Sequence, residues 1–324
     1  VEMPHHNLPA QLTPFIGREA MLGEIAKRLE DPACRLLTLV GPGGSGKTRV
    51  ALEAATGQLD RFADGVFFVS LAPLKSVEAI VPTIAGAIGY ALHAGDAEAQ
   101  LLGYLRSKEM LLVLDNYEHL IEGASVATGI LRAATGIQIL VTSRAALSAH
   151  GEHLLDVPGM AYPSPGPTGP LQEGREPARD SAQAPQEAAR YGAVELFVSS
   201  ARRQQPGFVL TAGNLHHVVR ICHLLHGMPL GIVLAASWIT LLSPPEIARE
   251  LEPQGPAAGL DFLETDLQDV PARQRSMRAV IDHSWSLLSA REQTVMAALS
   301  VFRGGCTREA AQEVAGASLR DLRA

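Results

Sequence analysis

The first 160 residues alternate short apolar runs with longer stretches of helical spacing. Leu36–Val40, Met110–Leu114 and Ile137–Val141 are apolar almost throughout, and Val66–Leu71 joins them between Asp64-Gly65 and Pro73. Strands that are apolar on both faces need cover on both faces. The pattern therefore predicts a parallel sheet between two helical layers. Thr48–Thr56, Ser76–Ile88, Ala97–Leu105 and the residues up to about Ala134 carry the intervening helices, and His153–Val157 is a fifth strand candidate.

The pattern then changes. Between Pro158 and Pro185 lie seven prolines, counting both ends, with several glycines. Such a run propagates neither helix nor sheet and reads as a linker or mobile loop. Helical spacing resumes over Val194–Arg203, Leu215–Leu225, Leu230–Leu242 and Pro245–Leu251, with Ser243 as N-cap and Pro244-Pro245 opening the last of these. After a second Pro/Gly stretch, Pro253 to Pro256, helices are expected at Ser276–Leu288, Ala290–Leu299 and Thr307–Val314. No internal repeat is visible.

The 324 residues are 47% apolar and 19% charged with a net charge of −7, which fits globular domains and argues against a broad nucleic-acid surface. Cys34, Cys222 and Cys306 lie far apart with no metal-ligand spacing. They argue against a disulfide scaffold or zinc site and for a reducing, cytoplasmic compartment. The N-terminus lacks an apolar leader segment and an initiator Met, so the expectation is a piece of a longer protein. His223–Pro245 carries no charged side chain, but its apolar part, Leu230–Leu242, falls short of the ~20 residues of a membrane span and reads as a buried helix.

Gly41-Pro42-Gly43-Gly44-Ser45-Gly46-Lys47-Thr48 matches G-x-x-x-x-G-K-[ST] at every fixed position. It follows an apolar strand and opens a helix. Glycines let the backbone curl around a phosphate, successive amides form an anion nest, and the helix N-terminus adds its dipole. Lys47 is placed to reach β- and γ-phosphates, and the Thr48 hydroxyl to ligate Mg²⁺. Asp115 follows five apolar residues, so it should stand at the carboxyl edge of the same sheet and hold Mg²⁺ through water. Its neighbour is Asn116, where many P-loop ATPases carry a carboxylate. An amide positions water but cannot take its proton, so slow hydrolysis is expected, with Glu118 the nearest alternative carboxylate. Thr142-Ser143-Arg144 closes the fourth strand, where Arg144 could read a γ-phosphate.

Taken in order, these residues resemble the STAND class of P-loop ATPases, and within it the NB-ARC-like module of bacterial signalling and transcriptional regulators. The likeness rests on Leu12–Glu19 (LTPFIGRE), the phosphate loop, Leu111–Leu120 (LLVLDNYEHL), Thr142-Ser143-Arg144, Gly227-Met228-Pro229-Leu230 and Pro271–Gly305. It implies an α/β P-loop domain with a parallel sheet (1–160), the linker (161–190), a small helical domain (191–258) and a partial winged-helix domain (259–324). It implies ATP or ADP with Mg²⁺ as cofactors. Ile16, Gly17 and Arg18 would lie against the adenine and Pro229 would contact the base. Bottom-up, His226-Gly227-Met228-Pro229 is also a plain helix stop and restart. The expected nucleotide set is Ile16, Gly17, Arg18, Gly41, Pro42, Gly43, Gly44, Ser45, Gly46, Lys47, Thr48, Arg49 and Pro229. Lys47, Asp115, Asn116 and Arg144 would serve the reaction, with Thr48 and Asp115 on the metal. Asn116 follows the bacterial branch and departs from the Asp-Asp of plant relatives. The family's later winged-helix motif, with its β-phosphate-sensing His, is not found before Ala324.

The function expected is a nucleotide-dependent signalling switch that opens and self-associates on ATP exchange and serves sensor and effector domains outside this chain. One competing reading is a metabolic kinase, which would need a second substrate pocket. Another is DNA binding through Leu288–Val314, which has helix–turn–helix character around Gly304-Gly305. Arg273–Ala324 carries 8 basic and 5 acidic residues, a weak phosphate-reading surface, so nucleic acid is not expected as a partner. Nor is a membrane. His216, His217, His223 and His226 read as surface or interdomain side chains, and His283 and Trp285 as packing residues. His5-His6 is too short for an affinity tag.

Overall fold

The structure, a computed structural model, describes residues 5–163, 184–252, 263–264, 275–302, 305–319 and 321–322. Five strands, β1 (Leu36–Val40), β2 (Gly65–Ser70), β3 (Met110–Asp115), β4 (Ile137–Ser143) and β5 (Glu152–Asp156), form one sheet in the order β2-β3-β4-β1-β5. Every pair is parallel. β1, β3 and β4 are buried along their whole length, as their apolar sequences require. Alternate side chains face opposite layers. Leu37, Leu39, Leu111, Val113 and Leu140 pack against α1 (Glu19–Glu30) and α2 (Lys47–Thr56). Leu36, Leu112, Leu114, Ile139 and Val141 pack against α3 (Ile80–Ala87), α4 (Ala97–Leu105) and α5 (Ala124–Ala133).

A second core joins Met160 to α7 (Gly192–Gln204), α8 (Ala212–Leu224), α9 (Pro229–Ser237) and α10 (Pro244–Leu251), which follow the short α6 (Ala184–Ala188). Gly227 fastens this core to the sheet layer. Its φ is +65°, its carbonyl accepts from Met160 N at 2.7 Å, and a Cβ there would lie 2.1 Å from Met160 O. Only glycine fits that approach. The last helices are α11 (Met277–Ser286), α12 (Ala290–Leu299) and α13 (Arg308–Ala315). Among the described residues α12 and α13 share a small cluster, Val295, Ala311 and Ala317, to which α11 adds no residue.

Several expected elements differ. The helix expected over Leu230–Leu242 ends at Ser237 and tightens into a 3₁₀ turn, Trp238–Thr240. The chain must leave the helical region before the proline pair that opens α10. Ser243 does cap α10, with Glu246 completing a capping box. The stretch from Ser76 begins as a 3₁₀ turn, Val77–Ala79, before α3. Residues 117–123 are two 3₁₀ turns rather than the start of a long helix, because Asn116 is left-handed at φ +66°. Trp285 is 41% exposed rather than packed. Most of 161–190, Pro253 to Pro256, 271–274 and Gly304 lie outside the described residues. Among the described residues no helix is long and apolar enough to cross a membrane.

Candidate phosphate-loop site

β1 ends at Val40 and α2 begins at Lys47, so the glycine-rich loop spans the carboxyl edge of the sheet. Gly44 and Gly46 take φ of +79° and +88°, which turns the loop onto the first turn of α2. Close approach adds to this at Gly43, where a Cβ would lie 2.5 Å from Val280 Cγ1 and 3.1 Å from Arg144 Nη2. Lys47 Nζ donates to Gly41 O at 2.7 Å and to Pro42 O at 3.1 Å, inside the loop's own curl. Burial lowers Lys47 from 10.5 to about 8; Glu118 opposes that shift, Arg144 adds to it and Asp115 opposes it more weakly.

Asp115 is the last residue of β3, and β4 stands between it and β1. It reaches across: Thr48 Oγ1 and Thr142 Oγ1 each donate to Asp115 Oδ1 at 2.7 Å. Asn116 N in turn donates to Thr142 Oγ1 at 2.9 Å. A hydroxyl and a carboxylate meeting at the mouth of an anion nest form an all-oxygen donor pair suited to Mg²⁺. Among the described residues no group of three or more His, Cys, Asp or Glu could hold a metal alone. An ion here would complete its shell with water and phosphate oxygens.

Arg144 leaves the end of β4 and touches two places. Its Nε meets Glu118 Oε1 at 3.1 Å, a pair whose side chains are 16% and 5% exposed. Its Nη1 donates to Ser284 Oγ and, at 3.4 Å, to Val280 O, both on α11. The turn carrying Glu118 is pinned on either side. Tyr117 is fully buried and donates its hydroxyl to Gly123 O at 2.8 Å. His119 Nε2 lies 3.0 Å from Leu74 O, and its Nδ1 lies 3.3 Å from Asn116 Nδ2. A carbonyl only accepts, so Nε2 carries the proton, and in the neutral ring Nδ1 accepts from the Asn116 amide.

These groups open onto a cavity of about 290 Å³. Gly43 to Lys47, Thr48, Asn116, Glu118, Thr142 and Arg144 are among its polar lining, and Phe15, Ile16, Met160, Leu196, Pro229 and Val233 among its apolar lining. Leu230 N donates to Gly44 O at 3.2 Å, so α9 sits directly on the phosphate loop. Two buried wall atoms, Ser45 Oγ and Arg18 Nη1, have no hydrogen-bond partner among the described residues. Arg18 is left-handed at φ +69°, its Nη2 donates to Pro158 O at 2.6 Å, and burial lowers its pKa. Enclosing glycines, unpartnered donors and apolar wall residues fit a nucleotide.

The expected residues divide into wall and support. Ile16, Arg18, Gly43, Gly44, Ser45, Gly46, Lys47, Thr48, Asn116, Arg144 and Pro229 line the cavity; Gly17, Gly41, Pro42 and Asp115 do not. Arg49 lines it, but its guanidinium holds Thr13 Oγ1 and Thr13 O at 2.7 Å and Pro14 O at 3.1 Å. Sequence reasoning missed Thr142 as the bridge to Asp115, although it stands within the quoted Thr-Ser-Arg motif. It also missed Leu230, Val280 and Ser284 as contacts of the loop and of Arg144. Nothing local to α11 signals that two of its residues belong to a site 136 residues earlier.

The family model of the NB-ARC domain matches residues 18–151. A Mycobacterium tuberculosis protein named as an HTH-type transcriptional regulator is 34% identical over 290 residues, covering 88% of this chain and 29% of that protein. The chain thus spans under a third of that relative's length. An uncharacterized M. tuberculosis protein is 31% identical over 323 residues, covering 98% of this chain and 72% of that one. Regulatory protein AfsR of Streptomyces griseus is 29% identical over 167 residues, 48% of this chain and 17% of its own. Among solved structures, a STAND protein with a tetratricopeptide repeat sensor from Pyrococcus horikoshii overlaps at TM-score 0.43 and 14% identity, covering 97% of this chain and 40% of that one. Cdc6p from Pyrobaculum aerophilum overlaps at TM-score 0.46 and 14% identity, covering 95% and 81%. The chain belongs to the NB-ARC family and is a P-loop nucleotide-binding module.

Proposed function

We propose that this module is an ADP/ATP signalling switch with slow, Mg²⁺-dependent ATPase activity, the core of a larger regulator that opens and self-associates when ATP replaces ADP. The observation that carries this reading is the composition of the cavity wall. The phosphate loop is touched by α9 through Leu230 and by α11 through Val280, so three separate parts of the chain meet where phosphate would bind. A ligand that contacts such parts differently in two arrangements shifts the population between them.

In this reading the loop amides, Lys47 and the α2 N-terminus hold the phosphates, while the apolar side chains of the wall, Ile16 and Pro229 among them, take the base. Thr48 and Asp115 hold the ion, which supplies positive charge beside the phosphates. Arg144 exchanges Glu118 and Ser284 for the γ-phosphate, and α11 loses that anchor. The small helical domain (191–258) then acts as the lid. Residues 259–324 act as the first part of a winged helix that packs on the nucleotide domain rather than on DNA.

The test is the nucleotide carried by freshly purified protein, released by denaturation and identified by ion-exchange chromatography. Near-stoichiometric ADP is the expected result. An empty protein that turns over added ATP rapidly would instead indicate an ordinary enzyme. Arg144→Ala should retain ADP but lose preference for ATP, and equal losses for both would make Arg144 merely structural.

A further inference from the structure

We infer that Glu118 is the catalytic base for ATP hydrolysis and that Arg144 holds it silent while α11 is docked. This rests on the switch reading above and names the residue that would do its chemistry.

The position directly after Asp115 cannot supply a base. Asn116 is an amide, and its side chain is taken up by His119. The left-handed turn at Asn116 instead brings a carboxylate round two residues later. Tyr117 is fixed beneath it by burial and by Gly123 O, and His119 by Leu74 O. Between these anchors Glu118 has little freedom. Its side chain is 5% exposed, lines the cavity, and acts on Lys47 more strongly than Asp115 does. One carboxylate oxygen, Oε1, is held by Arg144. The other, Oε2, is buried with no hydrogen-bond partner among the described residues. A buried carboxylate oxygen without a donor is costly unless a ligand or water completes it.

The pairing explains the silence. While the pair holds, Glu118 Oε1 is taken up by the Arg144 guanidinium and the side chain is fixed in place. Arg144 is kept on Glu118 partly by Ser284 Oγ and Val280 O of α11. A γ-phosphate offers Arg144 a stronger, bidentate anionic partner. When Arg144 turns to it, Glu118 is released beside the phosphate loop. Water oxygen then bonds to the γ-phosphorus while its proton passes to Glu118. The bond from the γ-phosphorus to the β–γ bridging oxygen breaks, its electron pair leaves with ADP, and Glu118 returns the proton to inorganic phosphate or solvent.

The experiment is single-turnover hydrolysis of γ-labelled ATP with Mg²⁺ by the 324-residue protein, Glu118→Gln and Ser284→Ala, with ATP and ADP affinities measured in parallel. Glu118→Gln should lose about 100-fold or more in rate, the scale of a general base, with affinities within about threefold. Ser284→Ala should speed hydrolysis by loosening Arg144, and the double variant should be as slow as Glu118→Gln. Glu118→Asp, which keeps the carboxylate and the Arg144 pair, should restore part of the rate and separates lost chemistry from lost folding. Intact binding with wild-type turnover in Glu118→Gln overturns the assignment and leaves the switch standing. ATP binding without hydrolysis in both wild type and Ser284→Ala also overturns it. A wild-type protein that binds neither nucleotide overturns the switch reading itself.

Discussion

Lys47 makes nucleotide affinity depend on pH near neutrality. Burial holds it at about 8 instead of 10.5. At pH 7 the empty site is then about 90% charged and at pH 9 about 10%. A phosphate beside the amine favours its charged form and raises its pKa. A ligand that raises a pKa binds best below the unliganded value and weakens as pH climbs through it. From pH 7 to 9 the affinity for ADP should therefore fall about tenfold, provided Lys47 stays charged when bound. Phosphate ionisation is complete below this window, its second step lying near about 6. Titration calorimetry in two buffers of different ionisation enthalpy reads the linked proton, and uptake should rise from about 0.1 to about 0.9 per ADP across the range. Lys47→Met removes both the pH slope and most of the affinity. Constant wild-type affinity from pH 7 to 9, or an equal slope in Lys47→Met, would refute the reasoning.

Further substitutions probe the residues around the site. Gly227→Ala adds a left-handed Cβ against Met160 O and breaks the bond from Met160 N, so urea unfolding should show a loss of about 2–4 kcal/mol; a wild-type curve would contradict the close approach. Arg49→Ala frees Thr13 and Pro14 next to Phe15 and Ile16, so ADP should bind about tenfold more weakly, the cost of one charge-assisted bond. Pyrophosphate, which has no base to place against Phe15 and Ile16, should bind Arg49→Ala as it binds the wild type. Asp115→Asn keeps an acceptor for Thr48 and Thr142 but removes the charge, so adding Mg²⁺ should no longer strengthen ADP binding over EDTA.

The parallel sheet was legible because β1, β3 and β4 are apolar on both faces, which leaves them no stable place except a covered sheet. The phosphate loop was legible because its geometry demands glycines at fixed spacing. The ends of helices were less so. Ser237 and Trp238 keep helical periodicity although the proline pair beyond them forces the helix to tighten. The turn at Asn116 was hidden for a related reason. Tyr117, Glu118 and His119 have ordinary helical composition, and only the left-handed residue before them diverts Glu118 toward the loop. Gly227 read equally well as a helix stop. Its carbonyl and missing Cβ matter through Met160, 67 residues earlier in the chain, and local pattern carries no trace of that.

The energetics of α11 bear on whether nucleotide could move it. Its helices share little core of their own, and Val280 is buried at 4% exposure against the phosphate loop instead. Burying a valine contributes about 1.5–3 kcal/mol. Hydrogen bonds from a charged donor such as Arg144 to Ser284 and Val280 contribute about 1.5–3 kcal/mol more. The latch is therefore worth about 3–6 kcal/mol. Carrying a two-state element from 1:99 to 99:1 takes about 5.5 kcal/mol of differential binding. The two ranges overlap, so a ligand that withdraws Arg144 alone removes about half of the hold, and crowding Val280 off Gly43 removes the rest. Thr142, two residues before Arg144 at the end of β4, holds the metal-side carboxylate of Asp115. A displacement of the β4 terminus would thus reach Asp115, Arg144 and α11 together, which is the coupling that a nucleotide-operated latch requires.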